Sequence, residues 1–322
     1  MRVVEGYEQV PAGLKGGVVA IGNFDGVHRG HQALIARAAA EARRLGAPSG
    51  ALVFEPHPRS YFQPDKPMFR LTPLPRKLVL LDAMGLDMTA VLAFDAALAG
   101  LTADLFVAQV LVGGFAVRHV IVGYDFHFGK GRTGSPRLLL EAGQRLGFDV
   151  TIVEPVTGGG EVFSSSRVRA ALAQGDVAAA AQDLGYRWRI AGEVVGGAKR
   201  GTGLGFPTAN ITLPVGTELG HGIYAVNVHT TEARHAGAAY FGSRPTFDGG
   251  APVLEVFLLD FDGNLYGRTI EVEFVGFVRP DAKFPSGEAL AAQMARDCET
   301  ARAMLAAEAA ADPLAGLPLA GR

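Results

Sequence analysis

Two histidines, His28 and His31, stand three residues apart in "AIGNFDGVHRGHQALI" (20–35), between an apolar run and a long Ala- and Arg-rich segment. At the start of a helix, unpaired backbone N–H groups and the positive end of the helix dipole favour an anion. Residues at i and i+3 face the same side, so both imidazoles can donate to one phosphate cluster. Gly30 leaves no side chain between them, and Gly22 lets the loop backbone approach a ligand closely. The motif therefore predicts a site that stabilises charge on a transferred phosphoryl or nucleotidyl group.

Other interpretations of this motif remain open. A single histidine near a helix start is usually a cap or a surface residue, and a histidine pair can also ligate a metal. The HExxH order of metalloproteases is absent, however. Asn23 and three glycines in the same turn favour the phosphate site.

A second candidate site lies in the other half of the chain. In "RGTGLGFPTANI" (200–211), Thr208 and Asn210 alternate, so on an extended strand they point the same way. Their neutral oxygens suit a Mg²⁺ ion that keeps water and phosphate as its other ligands. Glu255 stands in the apolar stretch "LEVFLLDF" (254–261). It is either a positioned base or, as its residue type alone favours, a strand-end carboxylate on a solvated face.

Composition restricts the class of protein. The chain has 322 residues, 48% of them apolar, which is enough for two domains with full cores. Its net charge is −2 without a long basic run, which argues against nucleic acid as a partner. The single cysteine, Cys298, excludes an intrachain disulfide and suits a reducing compartment. With no signal-peptide core and no membrane-length apolar run, we expect a soluble, cytoplasmic protein.

The first half of the chain alternates strand-like and helix-like segments. Strands are predicted at 17–22, 50–56, 88–94, 118–123 and 149–155, and helices at 29–45, 74–84, 102–112 and 136–146. The strands are continuously apolar, as strands buried on both faces are. This order predicts a parallel sheet with helices on both sides and a ligand site beyond the carboxyl ends of the strands. The histidine motif follows the first predicted strand directly.

After about residue 184 the pattern changes to short strands between Gly/Pro turns. Candidates are 187–196, 221–229, 236–243, 252–260 and 268–277, which predicts a small β-barrel or sandwich. A last helix is expected from about Ser286, its N-cap, to Ala307. We expect a hairpin or loop at 156–163 and a flexible tail at 311–322.

Four motifs follow one another in the first half: "GNFDGVHRGH" (22–31), "EPHP" (55–58), "VGYDFHFGKGRTG" (122–134) and "SSSRVR" (164–169). The first alone indicates a nucleotidyltransferase. The four in this order resemble the prokaryotic-type FAD synthetases of the HxGH nucleotidyltransferase superfamily.

The resemblance implies roles for the residues in these motifs. His28 and His31 would bind the ATP phosphates and stabilise the pentacoordinate α-phosphorus. The rest of the ATP and phosphate site would be Gly22, Asn23, Phe24, Asp25, Gly30, Ser164, Ser165, Ser166 and Arg169. Read alone, the three serines also suit an ordinary helix N-cap.

A flavin or adenine pocket is implied by the same resemblance. Its residues would be His57, Gly123, Asp125 and Phe128. Without the resemblance, His57 is simply a Pro-flanked loop residue, and the aromatic run "YDFHFG" (124–129) is a plain turn.

In the second half, "GFPTAN" (205–210), "GIYAV" (222–226), "RPTF" (244–247) and "LEVFLLDF" (254–261) resemble the riboflavin kinase module that follows the synthetase module in this family. The resemblance implies a six-stranded Greek-key barrel with a C-terminal helix. It also implies that Thr208 and Asn210 hold Mg²⁺–ATP. Glu255 would then take the proton from the ribityl 5′-hydroxyl of riboflavin, which attacks the γ-phosphorus. Near the last helix, Arg296 and Asp297 are candidates for a wall of the flavin site.

This chain departs from the kinase pattern in three places. Where the family has an acidic residue and an arginine in "HGDxRGRxLGFPTAN", this chain has Ala198 and Thr202, and "YFGSRPTF" (240–247) replaces "NIGxRPTF". These changes lie in the loop expected to cover the nucleotide, so they bear on how tightly the kinase module binds it. They bear less on whether the module is a kinase, because Thr208, Asn210 and Glu255 are intact.

We therefore predict an α/β parallel-sheet nucleotidyltransferase domain followed by a Greek-key barrel domain with a C-terminal helix. The predicted domains are FMN adenylyltransferase at 1–184 and riboflavin kinase at 185–310. Riboflavin, FMN and ATP would be substrates, with Mg²⁺ as cofactor. No nucleic acid or membrane partner is expected, and an oligomer remains open. Two rivals are a nucleotidyltransferase for another substrate with an unrelated barrel, and a catalytically idle nucleotide- or flavin-binding regulator.

Overall fold

A computed structural model of the protein describes residues 1–196, 208–243 and 252–310. The departures Ala198 and Thr202, the "RPTF" stretch at 244–247 and the tail at 311–322 lie outside the described residues. The described chain divides into two compact units, Met1–Ser165 and the residues from Ser166 onward.

The first unit is built on a parallel sheet. Its strands are β1 (Arg2–Glu5), β2 (Val18–Ile21), β3 (Ser49–Glu55), β4 (Met88–Ala93), β5 (His119–Gly123) and β6 (Asp149–Val153). They lie in the order β1-β4-β3-β2-β5-β6, and each neighbouring pair is parallel. Strand β2 lies between β3 and β5, so connections leave it in both directions and a crevice opens at its carboxyl end. The histidine motif begins at that point, as predicted.

Helices flank this sheet at the four predicted positions, and two short helices that were not predicted accompany them. They are α1 (Arg29–Leu45), α2 (Pro58–Phe62), α3 (Leu74–Ala83), α4 (Ala96–Gly100), α5 (Ala103–Leu105), which continues as a π-helix (Phe106–Gly114), and α6 (Pro136–Leu146). The two that were not predicted are α2 and α4. Short 3₁₀ turns occupy Ala12–Leu14 and Lys130–Arg132, and β7 (Thr157–Gly158) and β8 (Glu161–Val162) form the expected hairpin. The segment predicted as one helix at 102–112 differs, since most of it is π-helical. Its wide turns place Phe106, Val107, Val110 and Leu111 together in the core.

The second unit is a closed antiparallel barrel with helices. It contains α7 (Ser165–Ala173) except for its first residue, α8 (Val177–Leu184), β9 (Arg189–Val195), β10 (Thr208–Ile211), β11 (Gly222–His229), β12 (Arg234–Ser243), β13 (Pro252–Leu258), β14 (Thr269–Pro280) and α9 (Gly287–Ala310). The barrel order is β10-β13-β12-β11-β14-β9. In β13, Leu254 and Val256 are fully buried, while Glu255 between them is half-buried. The alternation therefore places Glu255 on the outer surface of the barrel.

Helix α9 covers part of the barrel. Ala301 and Leu305 pack with Ala225 and Ala238 of the strands. Ser286 accepts a hydrogen bond from the Ala289 N–H at 3.2 Å, which confirms the predicted N-cap. Within the described ranges, no helix combines the length and apolar character needed to span a bilayer.

A buried ion network holds the barrel strands together around Glu273, which is 5% exposed. Arg189 donates to its carboxylate at 2.8 Å, Asn227 donates at 3.0 Å, and His229 lies 3.3 Å away. Burial alone would raise the pKa of Glu273, but His229, Arg189 and Asn227 together lower it to about 2. The carboxylate is therefore ionised at neutral pH and compensates the buried arginine.

Replacing Glu273 should destabilise the second unit strongly. Glu273→Gln removes the buried carboxylate that Arg187 and Arg189 share and leaves Arg189 its more exposed pair with Glu271. Breaking one side of a buried pair costs about 3–5 kcal/mol. The only tryptophan, Trp188, is 2% exposed and stacks on Phe274 in this unit, so its fluorescence reports the unfolding. Because the folded pKa is lowered, the wild-type carboxylate stabilises the fold above its unfolded pKa of about 4.3. That contribution disappears as the pH falls toward 2.

Glu271→Gln is the matched control for this prediction. Glu271 also pairs with Arg189, at 3.1 Å, but its side chain is 31% exposed, and such pairs contribute about 1 kcal/mol or less. Equal losses of stability at pH 7 in both variants would contradict the assignment to the buried pair.

Candidate active sites

The loop after β2 has an unusual backbone. Phe24, Gly26 and Val27 have φ angles of 47°, 84° and 39°. Left-handed geometry is costly for a bulky or β-branched residue and persists where the surrounding structure imposes it, often at functional sites. This loop connects the carboxyl end of β2 to the first turn of α1.

The two histidines form a compact pair at the start of α1. His28 is the N-cap, and its Nδ1 accepts a hydrogen bond from the His31 backbone N–H at 3.4 Å. The two imidazole rings stack with centroids 3.6 Å apart, and the Phe24 ring meets His31 edge-on. A Cβ at Gly30 would lie 3.1 Å from the His28 ring, so any other residue there would push against the pair. The structure thus brings His28, Gly30 and His31 together.

The electrostatics of this pair restrict its charge. Burial lowers the pKa of His31 well below its usual range, and the nearby His28 and Lys77 lower it further. His31 is therefore neutral at pH 7. Because His28 Nδ1 is already a hydrogen-bond acceptor, a neutral His28 carries its proton on Nε2. That N–H and the N-terminus of α1 are suited to an anion.

The side chains of Asp25 and Phe24, two residues predicted for the ATP and phosphate site, point into the protein. The Asp25 carboxylate is 2% exposed and accepts hydrogen bonds from the Leu71 and Thr72 backbone N–H groups at 3.2 and 3.1 Å. The Thr72 hydroxyl in turn accepts from the Gly26 N–H at 2.8 Å. Phe24 is fully buried. Both side chains are turned into the protein because they hold the loop in shape.

The sequence patterns gave no role to three charged residues near this loop. Arg70 makes a two-pronged ion pair with Glu55 at the end of β3, at 3.0 and 2.9 Å. Lys77, in α3, is fully buried, and its ammonium donates to the Asn23 carbonyl at 2.7 Å. Burial, reinforced by Arg70, lowers the pKa of Lys77 to about 8. The sequence signal that could have identified Lys77 is its position on the same helix face as the buried Leu80 and Leu81.

The serine motif divides between the two units. Ser164 and Ser165 close the first unit, and the Ser165 hydroxyl donates to the Asp25 carbonyl at 2.8 Å. That bond lies within the first unit and joins its last described residue to the histidine loop. Ser166 is exposed and Arg169 is half-buried on α7, in the second unit. Their contact with ATP phosphates stays a prediction.

The residues of the predicted adenine or flavin pocket also differ in exposure. Phe128 is 6% exposed and stacks on Phe126 with centroids 5.4 Å apart, so it belongs to the core and supports the loop. Asp125 is exposed beside Gly123, at the end of β5, where it can reach a ligand. His57 is the N-cap of α2, since its Nδ1 accepts from the Arg59 N–H at 3.1 Å.

The second site is formed by the pairing of β10 with β13. Asn210 lies directly opposite Glu255 in the antiparallel register, and Thr208 lies opposite Phe257. Directly opposed residues share a face, and so do residues two apart, so Thr208, Asn210 and Glu255 lie on one outer face. All three are half-buried. On its other side, Glu255 is opposite Tyr240 of β12.

The candidate wall on α9 has a structural role. Asp297 is 4% exposed and accepts hydrogen bonds from Arg279 at 2.8 Å and from Gln293 at 2.8 Å. Its carboxylate is thus used to fix α9 to the end of β14. Arg296 donates to Gln293 at 2.6 Å. Neither observation points to a flavin contact.

Two family models match this chain. The model described as FAD synthetase matches residues 11–167, and the model described as riboflavin kinase matches residues 184–305. The curated bifunctional riboflavin kinase/FMN adenylyltransferase of Pseudomonas fluorescens is 42% identical over 310 residues, which cover 96% of this chain and 99% of the relative. The protein of the same description from Escherichia coli K12 is 42% identical over 304 residues, covering 94% and 97%.

A solved structure is similar over nearly the full length as well. The Streptococcus pneumoniae crystal structure described as a macrolide-efflux protein superposes with a TM-score of 0.83 at 28% identity, covering 93% of this chain and 98% of that chain. The fold of the relative therefore spans both units found here.

Proposed function

This chain belongs to the family of bacterial bifunctional riboflavin kinase/FMN adenylyltransferases, and from that premise we propose which of its side chains carry each reaction. The chain phosphorylates riboflavin to FMN and transfers AMP from ATP to FMN, giving FAD and pyrophosphate. We assign FMN adenylylation to a domain at 1–184 and riboflavin phosphorylation to a domain at 185–310. Cytoplasmic localisation stays a prediction, which the single cysteine and the nucleotide substrate support.

Adenylyl transfer is assigned to the histidine pair at the start of α1. A phosphate oxygen of FMN attacks the α-phosphorus of ATP, and pyrophosphate leaves. Such transfer depends mainly on positioning and electrostatic stabilisation, so it needs no protein nucleophile. His28 would donate from Nε2 to the oxygens of the α-phosphoryl group, next to the neutral ring of His31. The observation that carries this assignment is the stacking of the two rings, 3.6 Å apart, at the N-terminus of a helix.

Riboflavin phosphorylation is assigned to the outer face of β10 and β13. Glu255 would accept the proton of the ribityl 5′-hydroxyl, whose oxygen attacks the γ-phosphorus of ATP with ADP as the leaving group. The observation that carries this assignment is the register, which places Glu255 directly opposite Asn210. A carboxylate that merely reaches solvent at a strand end would not need a candidate metal-binding residue such as Asn210 directly opposite it.

Thr208 and Asn210 are the residues that fit Mg²⁺. Within the described ranges, no group of three or more His, Cys, Asp or Glu residues is arranged to hold a metal. Neutral side-chain oxygens suit Mg²⁺ because the ion keeps water and phosphate oxygens as most of its ligands. When bound, Mg²⁺ would neutralise charge on the ATP phosphates.

Removing the Thr208 hydroxyl should raise the Mg²⁺ requirement of the kinase alone. For Thr208→Val, we expect the Mg²⁺ concentration at half-maximal riboflavin phosphorylation to rise about tenfold, a size typical of removing one group from the surroundings of a bound metal. FMN adenylylation should keep its Mg²⁺ dependence. Thr231→Val, in an exposed turn, is the control. If the Mg²⁺ titration of the Thr208→Val enzyme is unchanged, Thr208 is not part of the metal site.

The two activities are tested together by supplying each flavin separately. The purified protein is incubated with ATP and Mg²⁺ and with either riboflavin or FMN, and the flavins are resolved by chromatography. We expect FMN and FAD from riboflavin, and FAD from FMN. No product from either flavin would overturn the proposal.

A further inference from the structure

Lys77 is a buried cation to which the assignments above give no role. It lies in the first turns of α3 and is 0% exposed, and its ammonium donates to the Asn23 carbonyl at 2.7 Å. A buried ammonium carries a large desolvation cost, and here its hydrogen bond within the described chain is to one neutral carbonyl and not to a carboxylate. Its position is therefore more readily explained by function than by stability.

Charged and titratable groups from several elements face Lys77. They are Asp25 in the loop after β2, Glu55 at the end of β3, Arg70 in the segment before α3, and His31 on α1. The segment that carries Lys77 also holds the loop elsewhere, because Thr72 binds both Asp25 and the Gly26 N–H. The ammonium thus lies beneath the loop that precedes the histidine pair.

The contact with Asn23 fixes one peptide group of this loop. In a planar trans peptide the C=O and the following N–H point in opposite directions. With the Asn23 carbonyl turned to Lys77, the Phe24 N–H is directed away from the buried ammonium. Within the described chain this N–H donates to no group. Phe24 has a φ of 47°, and left-handed residues in such loops form anion-binding concavities of backbone N–H groups.

We propose that Lys77 is a positioning residue for adenylyl transfer. Its ammonium holds the Asn23–Phe24 peptide so that the Phe24 N–H is presented to the oxygens of the α-phosphoryl group. Its positive charge polarises that peptide and so strengthens the hydrogen bond from the Phe24 N–H to the α-phosphoryl oxygens. This inference rests on the adenylyl-transfer role proposed for His28 and His31.

Lys77→Met removes the charge and keeps most of the side-chain volume. We expect kcat for FAD formation from FMN to fall about 10- to 100-fold, less than the roughly 10²- to 10³-fold loss when a preorganised donor is itself removed, because the Phe24 N–H remains. Riboflavin phosphorylation should be unchanged, and thermal stability should fall modestly because the Asn23 carbonyl loses its donor. The exposed Lys66→Met serves as the matched control. A folded Lys77→Met enzyme with wild-type kcat would overturn the proposal.

The pH profile provides a test that does not depend on the stability of Lys77→Met. With a pKa of about 8, Lys77 loses its charge above that pH, so kcat/KM for ATP in FMN adenylylation should fall there. Lys77→Arg stays charged and should move this fall to higher pH. A wild-type profile without the fall, or the same profile in Lys77→Arg, would overturn the proposal. If His28→Ala retains wild-type FAD formation, the site assignment fails instead.

Discussion

Glu255→Gln is expected to abolish FMN formation from riboflavin while FAD formation from added FMN continues. The amide keeps the size of the side chain and its place opposite Asn210 but cannot accept the hydroxyl proton. General bases contribute about 10²- to 10⁴-fold, so the loss should appear in kcat of the kinase reaction. Chromatography of the flavins after incubation with riboflavin, ATP and Mg²⁺ measures it.

Two controls accompany this variant. Glu193→Gln changes an exposed carboxylate on the neighbouring β9, and it should leave both reactions unchanged. Trp188 fluorescence checks that the barrel of Glu255→Gln is folded. A folded Glu255→Gln enzyme that still makes FMN at the wild-type rate would show that Glu255 is an ordinary strand carboxylate.

Replacing His28 should have the opposite effect. His28→Ala removes the imidazole N–H proposed to meet the α-phosphoryl oxygens, so FAD formation from FMN should fall about 10²- to 10³-fold. Riboflavin phosphorylation should persist, and FMN should accumulate. The flavins are again resolved by chromatography, with riboflavin and FMN supplied in separate incubations.

His28 also caps α1, and its two roles can be separated. Asparagine is a good N-cap, so His28→Asn can accept the hydrogen bond from the His31 N–H without supplying an imidazole. We expect it to restore stability lost in His28→Ala but not FAD formation. Recovery of activity together with stability would mean that His28 acts only as a cap.

The elements with strong local signals could be predicted from the sequence. The first site lies between β2, whose residues are all buried, and α1, which begins at Arg29 as expected. Helix α6 also has the predicted bounds, since Ser135 caps it and Gly147 ends it. Strand β1 was missed because four residues at a sheet edge, with Val4 alone buried among them, give almost no signal.

Contacts between residues distant in the sequence could not be predicted. Nothing near Asp25 indicates that its carboxylate accepts hydrogen bonds from Leu71 and Thr72, some 46 residues away. The pairing of Asn210 with Glu255 depends on a barrel register that local patterns do not set. Lys77 interrupts an apolar helix face, which is a visible signal, but its contact with Asn23 becomes evident only in the folded chain.

The central claim is that one chain carries two independent sites, and it is tested most directly by comparing Glu255→Gln with His28→Ala in both half-reactions. With ATP and Mg²⁺, Glu255→Gln should convert FMN to FAD but leave riboflavin unchanged. His28→Ala should convert riboflavin to FMN and stop there. A folded variant of either kind that loses both FMN formation from riboflavin and FAD formation from FMN would contradict the claim.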